Sequence, residues 1–245
     1  ALLVHITVNQ QHGVITFLGK RQCQIDRRVG LALAGNGTGY HDQVALIEQV
    51  AAANPNTIVV LNTGSPIAMD WLDRVAAVMQ AWYPGQAGGT AVAEALFGLT
   101  NPGGRLPVTF YRAVSDLPEF IDYSMENRTY RYFTGQPLYP FGFGLSYTTF
   151  TYHNLQVTPQ EVTAGDPVSV QVEVENSGGL LGDEVVQLYL RDVEASIPVP
   201  LLQLQGLTRI RLAPGERQTV QFTLTADQMS FVDEDGNWVL EPGEF

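Results

Sequence analysis

The residue types that could do chemistry are scattered along this chain rather than gathered. Thr63-Gly-Ser-Pro-Ile67 places a serine behind an apolar run, but lacks the second glycine of a strand-to-helix nucleophile elbow. The four histidines, His5, His12, His41 and His153, have no Asp partner in a recognisable pattern, so a serine-hydrolase triad is not expected. Asp233-Glu-Asp-Gly236 gathers three carboxylates, yet it has neither the ligand spacing nor the closing glutamate of a calcium loop. A hairpin turn accounts for it better. Asn36-Gly-Thr38 and Asn127-Arg-Thr129 match the glycosylation pattern, which carries meaning only in a secreted eukaryotic protein. Trp82-Tyr-Pro-Gly-Gln-Ala-Gly-Gly89 reads as a strand end turning into a helix. Backbone N–H groups there could face a polar ligand, or the glycines could simply allow close packing.

These groups need a folded frame, and the composition supplies one. Of the 245 residues 45% are hydrophobic and 16% charged, the balance of a folded protein rather than a disordered one. The formal net charge is −12, with one lysine, Lys20, and twelve arginines. No basic stripe exists to neutralise a phosphate backbone, so nucleic acid is not an expected partner. A single cysteine, Cys23, forbids an intrachain disulfide. The longest apolar runs, such as Thr57–Leu61, are too short to cross a bilayer. Ala1–Val8 is apolar without a basic head or a small-residue cleavage site, so it is not read as a signal peptide. The absent initiator Met suggests a trimmed chain or a fragment, and localisation stays unknown.

The pattern changes character near Phe150. Before it, β-branched runs alternate with helical stretches: a strand at Val14–Leu18, a helix at Asp42–Ala53, a buried strand at Thr57–Leu61 and a short helix near Asp70–Arg74. A strand at Ala77–Trp82 and a helix at Thr90–Phe97, closed by Gly98, follow. Such alternation predicts a mostly parallel sheet with helices on its faces, an α/β layer. Pro102-Gly-Gly104 reads as a turn before a strand at Leu106, with Arg105 as an ion-pair or carbonyl partner. From Thr109 to Tyr147 runs an aromatic, proline-rich traverse that includes Tyr130, Tyr132, Phe133, Tyr139, Phe141 and Phe143. It is either an ordered connector or an aromatic platform for sugars. After Phe150 period-two alternation takes over, with Val168, Val170, Val172 and Val174 on one strand face. Strands at Glu184–Leu190, Leu207–Leu212 and Gln218–Leu224 follow, separated by turns at Asn176-Ser-Gly-Gly and Ala213-Pro-Gly-Glu. This half reads as all-β, a sandwich of immunoglobulin or fibronectin type. Another edge strand is expected to start within Glu241–Phe245.

Five segments resemble a known family. They are Asn54-Pro-Asn-Thr-Ile-Val-Val-Leu-Asn-Thr-Gly64, Ala81-Trp-Tyr-Pro-Gly-Gln-Ala-Gly-Gly89, Asn101-Pro-Gly-Gly-Arg-Leu-Pro-Val-Thr-Phe110 and Tyr139-Pro-Phe-Gly-Phe-Gly-Leu-Ser-Tyr-Thr-Thr-Phe150. The fifth is Gly182-Asp-Glu-Val-Val-Gln-Leu-Tyr-Leu190 with Leu212-Ala-Pro-Gly-Glu216 behind it. In this order they resemble the C-terminal half of family 3 glycoside hydrolases, the β-glucosidases and β-xylosidases. The resemblance implies a partial α/β-sandwich domain over 1–110, of which 1–41 match the family poorly. A linker over 111–149 and a fibronectin type III-like domain over 150–245 complete the expected order.

The same resemblance implies retaining, exo-acting hydrolysis through a covalent glycosyl intermediate. That chemistry needs two carboxyl groups roughly 5–5.5 Å apart. In the family the nucleophilic Asp lies on a preceding barrel, which takes on the order of 250 residues by itself and so is not in this chain. The family acid/base Glu falls nearest Cys23 in Cys23-Gln-Ile-Asp-Arg27, and a thiol cannot replace a carboxylic acid tuned to protonate a leaving oxygen. No catalytic residue is therefore assigned, substrate-binding residues are unknown, and no metal or cofactor is expected. Residues 1–41 are read as either divergent or frame-shifted, with Gly35–His41 resembling an insertion. The functional expectation is a portion of an enzyme acting on terminal β-linked glucose or xylose, inactive alone. A carbohydrate- or protein-binding accessory module is the alternative. An incomplete α/β sheet would leave an exposed edge or apolar face, which implies self-association.

Overall fold

The computed structural model describes residues 5–9 and 40–245. The chain divides into two compact units, Ala1–Leu96 and Phe97–Phe245. The strand expected at Val14–Leu18 and the Cys23 region lie outside the described residues.

The first unit is an α/β layer. Strand β1 (His5–Asn9) precedes helix α1 (Tyr40–Ala53), followed by β2 (Ile58–Asn62), a 3-10 turn at Leu72–Arg74, β3 (Ala77–Gln80) and α2 (Gly88–Leu96). The strands form a parallel sheet in the order β1-β2-β3. Central β2 explains the continuous apolar run: Val59, Val60 and Leu61 are all essentially buried, as befits a strand covered on both faces. Ile47 and Ala51, one turn apart on α1, are buried too. The helix stops at Asn54-Pro55. The Asn54 side chain accepts the Asn56 N–H at 2.9 Å and its carbonyl accepts the Thr57 hydroxyl at 2.7 Å. Strand β3 ends at Gln80 rather than Trp82, because Trp82 takes a left-handed φ of 54°.

The second unit opens with an irregular traverse that includes a short helix α3 (Thr129–Tyr132). The strand expected at Leu106 does not form. Instead the 106–110 stretch bonds to the 138–143 stretch only at isolated points, with Leu106 N–H on Phe143 O at 2.8 Å and Phe110 N–H on Tyr139 O at 2.9 Å. Pro107 and Pro140 explain the break, since neither can donate to a ladder.

Beyond it come β4 (Phe150–Thr158), β5 (Val168–Asn176), β6 (Gly182–Leu190), β7 (Gln203–Leu212) and β8 (Arg217–Leu224). A short helix α4 (Ala226–Met229) and a two-residue pair, β9 (Phe231–Val232) and β10 (Trp238–Val239), follow. One antiparallel sheet has the order β4-β5-β8 and the other is β6-β7. The alternation read on β5 holds, with Val168, Val170, Val172 and Val174 all buried. Its opposite face carries cross-strand ion pairs, Arg217 reaching Glu173 at 3.0 Å and Glu175 at 2.8 Å. Valines of β5 meet Val186, Ile210, Leu212 and Val220 in the core between the sheets.

Candidate functional site

Each candidate from the sequence now has a place. Ser65 follows β2, and Thr63 donates its hydroxyl to Ser65 O at 2.9 Å. No α-helix follows Ser65 directly, so the strand–turn–helix of a nucleophile elbow is missing. His153 meets Glu175 at 3.0 Å, but Glu175 also holds Arg217, making this a cross-strand surface pair. Asp233 closes the β9–β10 hairpin, its Oδ1 accepting the N–H groups of Asn237 at 2.8 Å and Asp235 at 3.0 Å. Those backbone donors, Asn237 first, hold its carboxyl below the usual range. Asn127 turns its carbonyl oxygen onto the Thr134 hydroxyl at 3.0 Å. Asn36 and the Cys23 position lie outside the described residues. In the Trp82–Gly89 turn, a side chain at Gly88 would run into the Pro84 ring, whereas Gly89 borders open space. Gly88 is thus there for close packing. Among the described residues no group of three or more His, Cys, Asp or Glu could hold a metal ion, and no helix is long and apolar enough to cross a membrane.

A concavity of about 740 Å³ in the second unit lies under the aromatic traverse. Its size is in the range of small-molecule sites. Tyr130 stacks on Phe141 with centroids 4.2 Å apart, and Tyr139 stacks on Phe143 at 4.9 Å. Tyr189 of β6 meets the Tyr130 and Phe141 rings edge-on. The Tyr130 hydroxyl accepts the Leu204 N–H at 3.1 Å, tying the traverse to β7. The Pro140–Leu145 loop runs tightly against β6, and Gly142, at φ 79°, leaves no room for a side chain beside Gln187 and Tyr189. Gln187 donates to its carbonyl at 3.1 Å. The rings mostly stack on one another, as a connector requires.

The polar centre of the groove is Glu184, the one carboxylate in its lining. Arg105 donates to Glu184 Oε2 at 2.6 Å, both side chains being only 12% and 11% exposed. Tyr152 donates its hydroxyl to Oε1 at 3.0 Å. Burial, ahead of the Glu184 charge, pushes the Tyr152 phenol above its ordinary range. Arg105 also donates to the Gly104 carbonyl at 3.1 Å, so it fills both roles read from its sequence context. Glu184 and Tyr152 were not foreseen as its partners. The signal for Glu184 was present: it occupies the inward phase of β6 with Gly182 and Val186, where an acid demands a counter-ion. Arg105 and Tyr152 thus occupy both oxygens of Glu184, and no second carboxylate stands among the lining residues of the groove.

Comparison with known proteins gives this arrangement its context. The glycosyl hydrolase family 3 C-terminal domain matches residues 6–147, and the fibronectin type III-like domain matches residues 184–245. The first match begins inside the stretch expected to fit the family least. The chain is similar to the thermostable β-glucosidase B of Acetivibrio thermocellus, 39% identical over 218 residues, covering 83% of this chain and 29% of that protein. It is 42% identical over 205 residues to the xylan 1,4-β-xylosidase of Xylanibacter ruminicola, covering 83% of this chain and 23% of that protein. The crystal structure of the β-D-glucoside glucohydrolase from Trichoderma reesei superposes with a TM-score of 0.76 at 28% identity, covering 98% of this chain and 37% of that one. The chain therefore spans under a third of the length of these two curated relatives. The match of the family's C-terminal domain over more than half of the chain, with the fibronectin type III-like match behind it, identifies the chain as a member of glycosyl hydrolase family 3.

Proposed function

We propose that this chain contributes the C-terminal scaffold of a retaining exo-β-glycosidase that releases terminal β-linked glucose or xylose, and that it does not turn over such substrates alone. The observation that carries this reading is the match to β-glucosidases and a β-xylosidase over four fifths of the chain but under a third of theirs. The chemistry agrees. A double displacement needs one carboxylate to attack and a second, held protonated, to donate. The groove of the second unit offers Glu184 alone, already engaged by Arg105 and Tyr152. The acid/base position near Cys23 carries a thiol in this reading, and the nucleophile belongs to a barrel outside these residues. The purified chain, free of host enzymes, is expected to leave aryl β-glucosides and β-xylosides intact, and sustained release of the aryl alcohol would refute the reading.

A second reading, an accessory surface that holds a polysaccharide or protein, draws support from one loop. Phe120, Ile121 and Tyr123 are 93%, 76% and 90% exposed, with Leu117 and Met125 beside them, an apolar cluster of the kind that marks association. Self-association through it would appear in light scattering as a mass that rises with concentration. Binding of soluble glucans or xylans would change the emission of Trp71, Trp82 and Trp238 on titration. A constant monomer mass together with an unchanged spectrum would remove this reading.

A further inference from the structure

The groove beneath the aromatic traverse has three features that together describe a ligand. Its lining holds one carboxylate, Glu184, and one cation, Arg105, and these neutralise each other, so the groove favours neither anions nor cations. Its wall is built of rings, Tyr130, Phe141, Phe143 and Tyr189 among them, and its rim is open, with Leu145 75% and Tyr152 47% exposed. The third feature is Thr109. This threonine lines the groove and is only 6% exposed, yet its hydroxyl has no hydrogen-bond partner. A buried hydroxyl left unpaired is destabilising, and a partner supplied from the groove would relieve it.

The hydrogen-bonding capacity left over says what that ligand is. Glu184 takes one bond at each oxygen, from Arg105 and from Tyr152, and each carboxylate oxygen can accept a second. Arg105 spends one N–H on Glu184 and one on Gly104 O, out of the five a guanidinium carries. Acceptor and donors therefore stand side by side, and the group that satisfies both at once is a hydroxyl. Neighbouring hydroxyls on a ring whose C–H face lies against aromatic side chains are the chemistry of a saccharide. We propose that this groove binds a short neutral oligosaccharide, with adjacent hydroxyls between Arg105 and Glu184 and a further hydroxyl on Thr109, whose side chain turns to meet it. A proline-rich peptide also suits an aromatic-lined groove, but it is the poorer occupant, because proline brings carbonyl acceptors and no N–H for Glu184. The site is a different surface from the exposed 117–125 loop and stands whether or not that loop associates.

The groove lining contains no tryptophan, so backbone amide shifts report on it better than emission does. The 245-residue chain is titrated with cellotriose and with xylotriose. Saturable shifts are expected at Phe143, Gly144, Val185 and Gln187, with at least one of the two sugars. Thr109→Val should weaken that binding about fivefold, the loss of one hydrogen bond, while leaving the Tm unchanged or raised, because it removes an unpaired hydroxyl; a threonine with a structural role only would leave the affinity as it was. Phe120→Ser with Tyr123→Ser should not alter the affinity. The proposal is overturned by shifts confined to the 117–125 loop, by the absence of saturable shifts with either sugar at millimolar concentration, or by groove amides that respond to a proline-rich peptide and to neither sugar. Equal affinity in the Thr109→Val chain overturns the role given to that hydroxyl.

Discussion

The two ends of the sandwich use the same strands and reach different results. At one end Val172 and Val174 of β5 face Val186, Ile210 and Leu212 of the other sheet, and Val174 and Leu212 are fully buried. The buried Asn176 ties this end together: its side chain donates to Leu180 O and Leu212 O, both at 2.8 Å, and accepts the Thr148 hydroxyl at 2.7 Å. At the other end Val168, Val170, Leu224 and Met229 pack on Leu188 and Leu190, but Leu155 and Val157 beside them stay exposed. Strand sequence alone does not create a core. Period-two apolar residues become buried only where an opposing layer covers them.

Substitutions can sharpen that contrast. The largest effect is expected from Arg105→Ala, which strands the Glu184 charge at a site only 11% exposed. Breaking a buried pair from one side costs about 3–5 kcal/mol, to be read from the denaturant midpoint of the second unit. The double change Arg105→Leu with Glu184→Leu should recover much of that loss. Leu212→Ala at the closed end is expected to cost about 3 kcal/mol through the cavity it leaves. A cost as small as at the open end would erase the distinction between the two ends.

Alkaline titration gives a smaller, signed effect. The Tyr152 phenol keeps its proton in the folded protein beyond its ordinary value of 10.0, so the unfolded chain loses that proton first. Its contribution to stability is complete below pH 10 and declines as pH rises further. Tyr152→Phe should flatten that alkaline decline in a urea-midpoint series, and an unchanged slope would mean that another group causes it. Smallest of all, Leu155→Ala at the open end is expected to shift stability by no more than about 0.5 kcal/mol.

How much of this was legible in the sequence follows from the same physics. Strand β2 was readable because full burial imposes an unbroken apolar run, and β5 because half-burial imposes alternation. Strand β4 was missed: it is an edge strand with a register shift between His153 and Gln156, and most of its residues are exposed, so neither rule marks it. Strand β1 was left without an element inside the apolar Ala1–Val8 stretch, since its Ile6, Thr7 and Val8 become a strand only by pairing with Val59, Val60 and Leu61. The Leu106 strand was over-read because apolar residues near a proline can be fixed by isolated bonds instead of a ladder. At the polar centre, Arg105 announced a need for a partner. The identity of Glu184, 79 positions away, depends on how the traverse folds back on β6, which no local pattern encodes.

The absence of a working acid pair is the claim on which the functional account turns. Incubating the purified chain with an activated 2-deoxy-2-fluoro-β-glucoside and recording its intact mass tests this most directly, because a retaining nucleophile is trapped as a stable glycosyl ester. The account predicts an unmodified mass after prolonged incubation, while a full-length relative treated alongside becomes labelled. A stoichiometric glycosyl adduct mapped to any Asp or Glu of these 245 residues would contradict it.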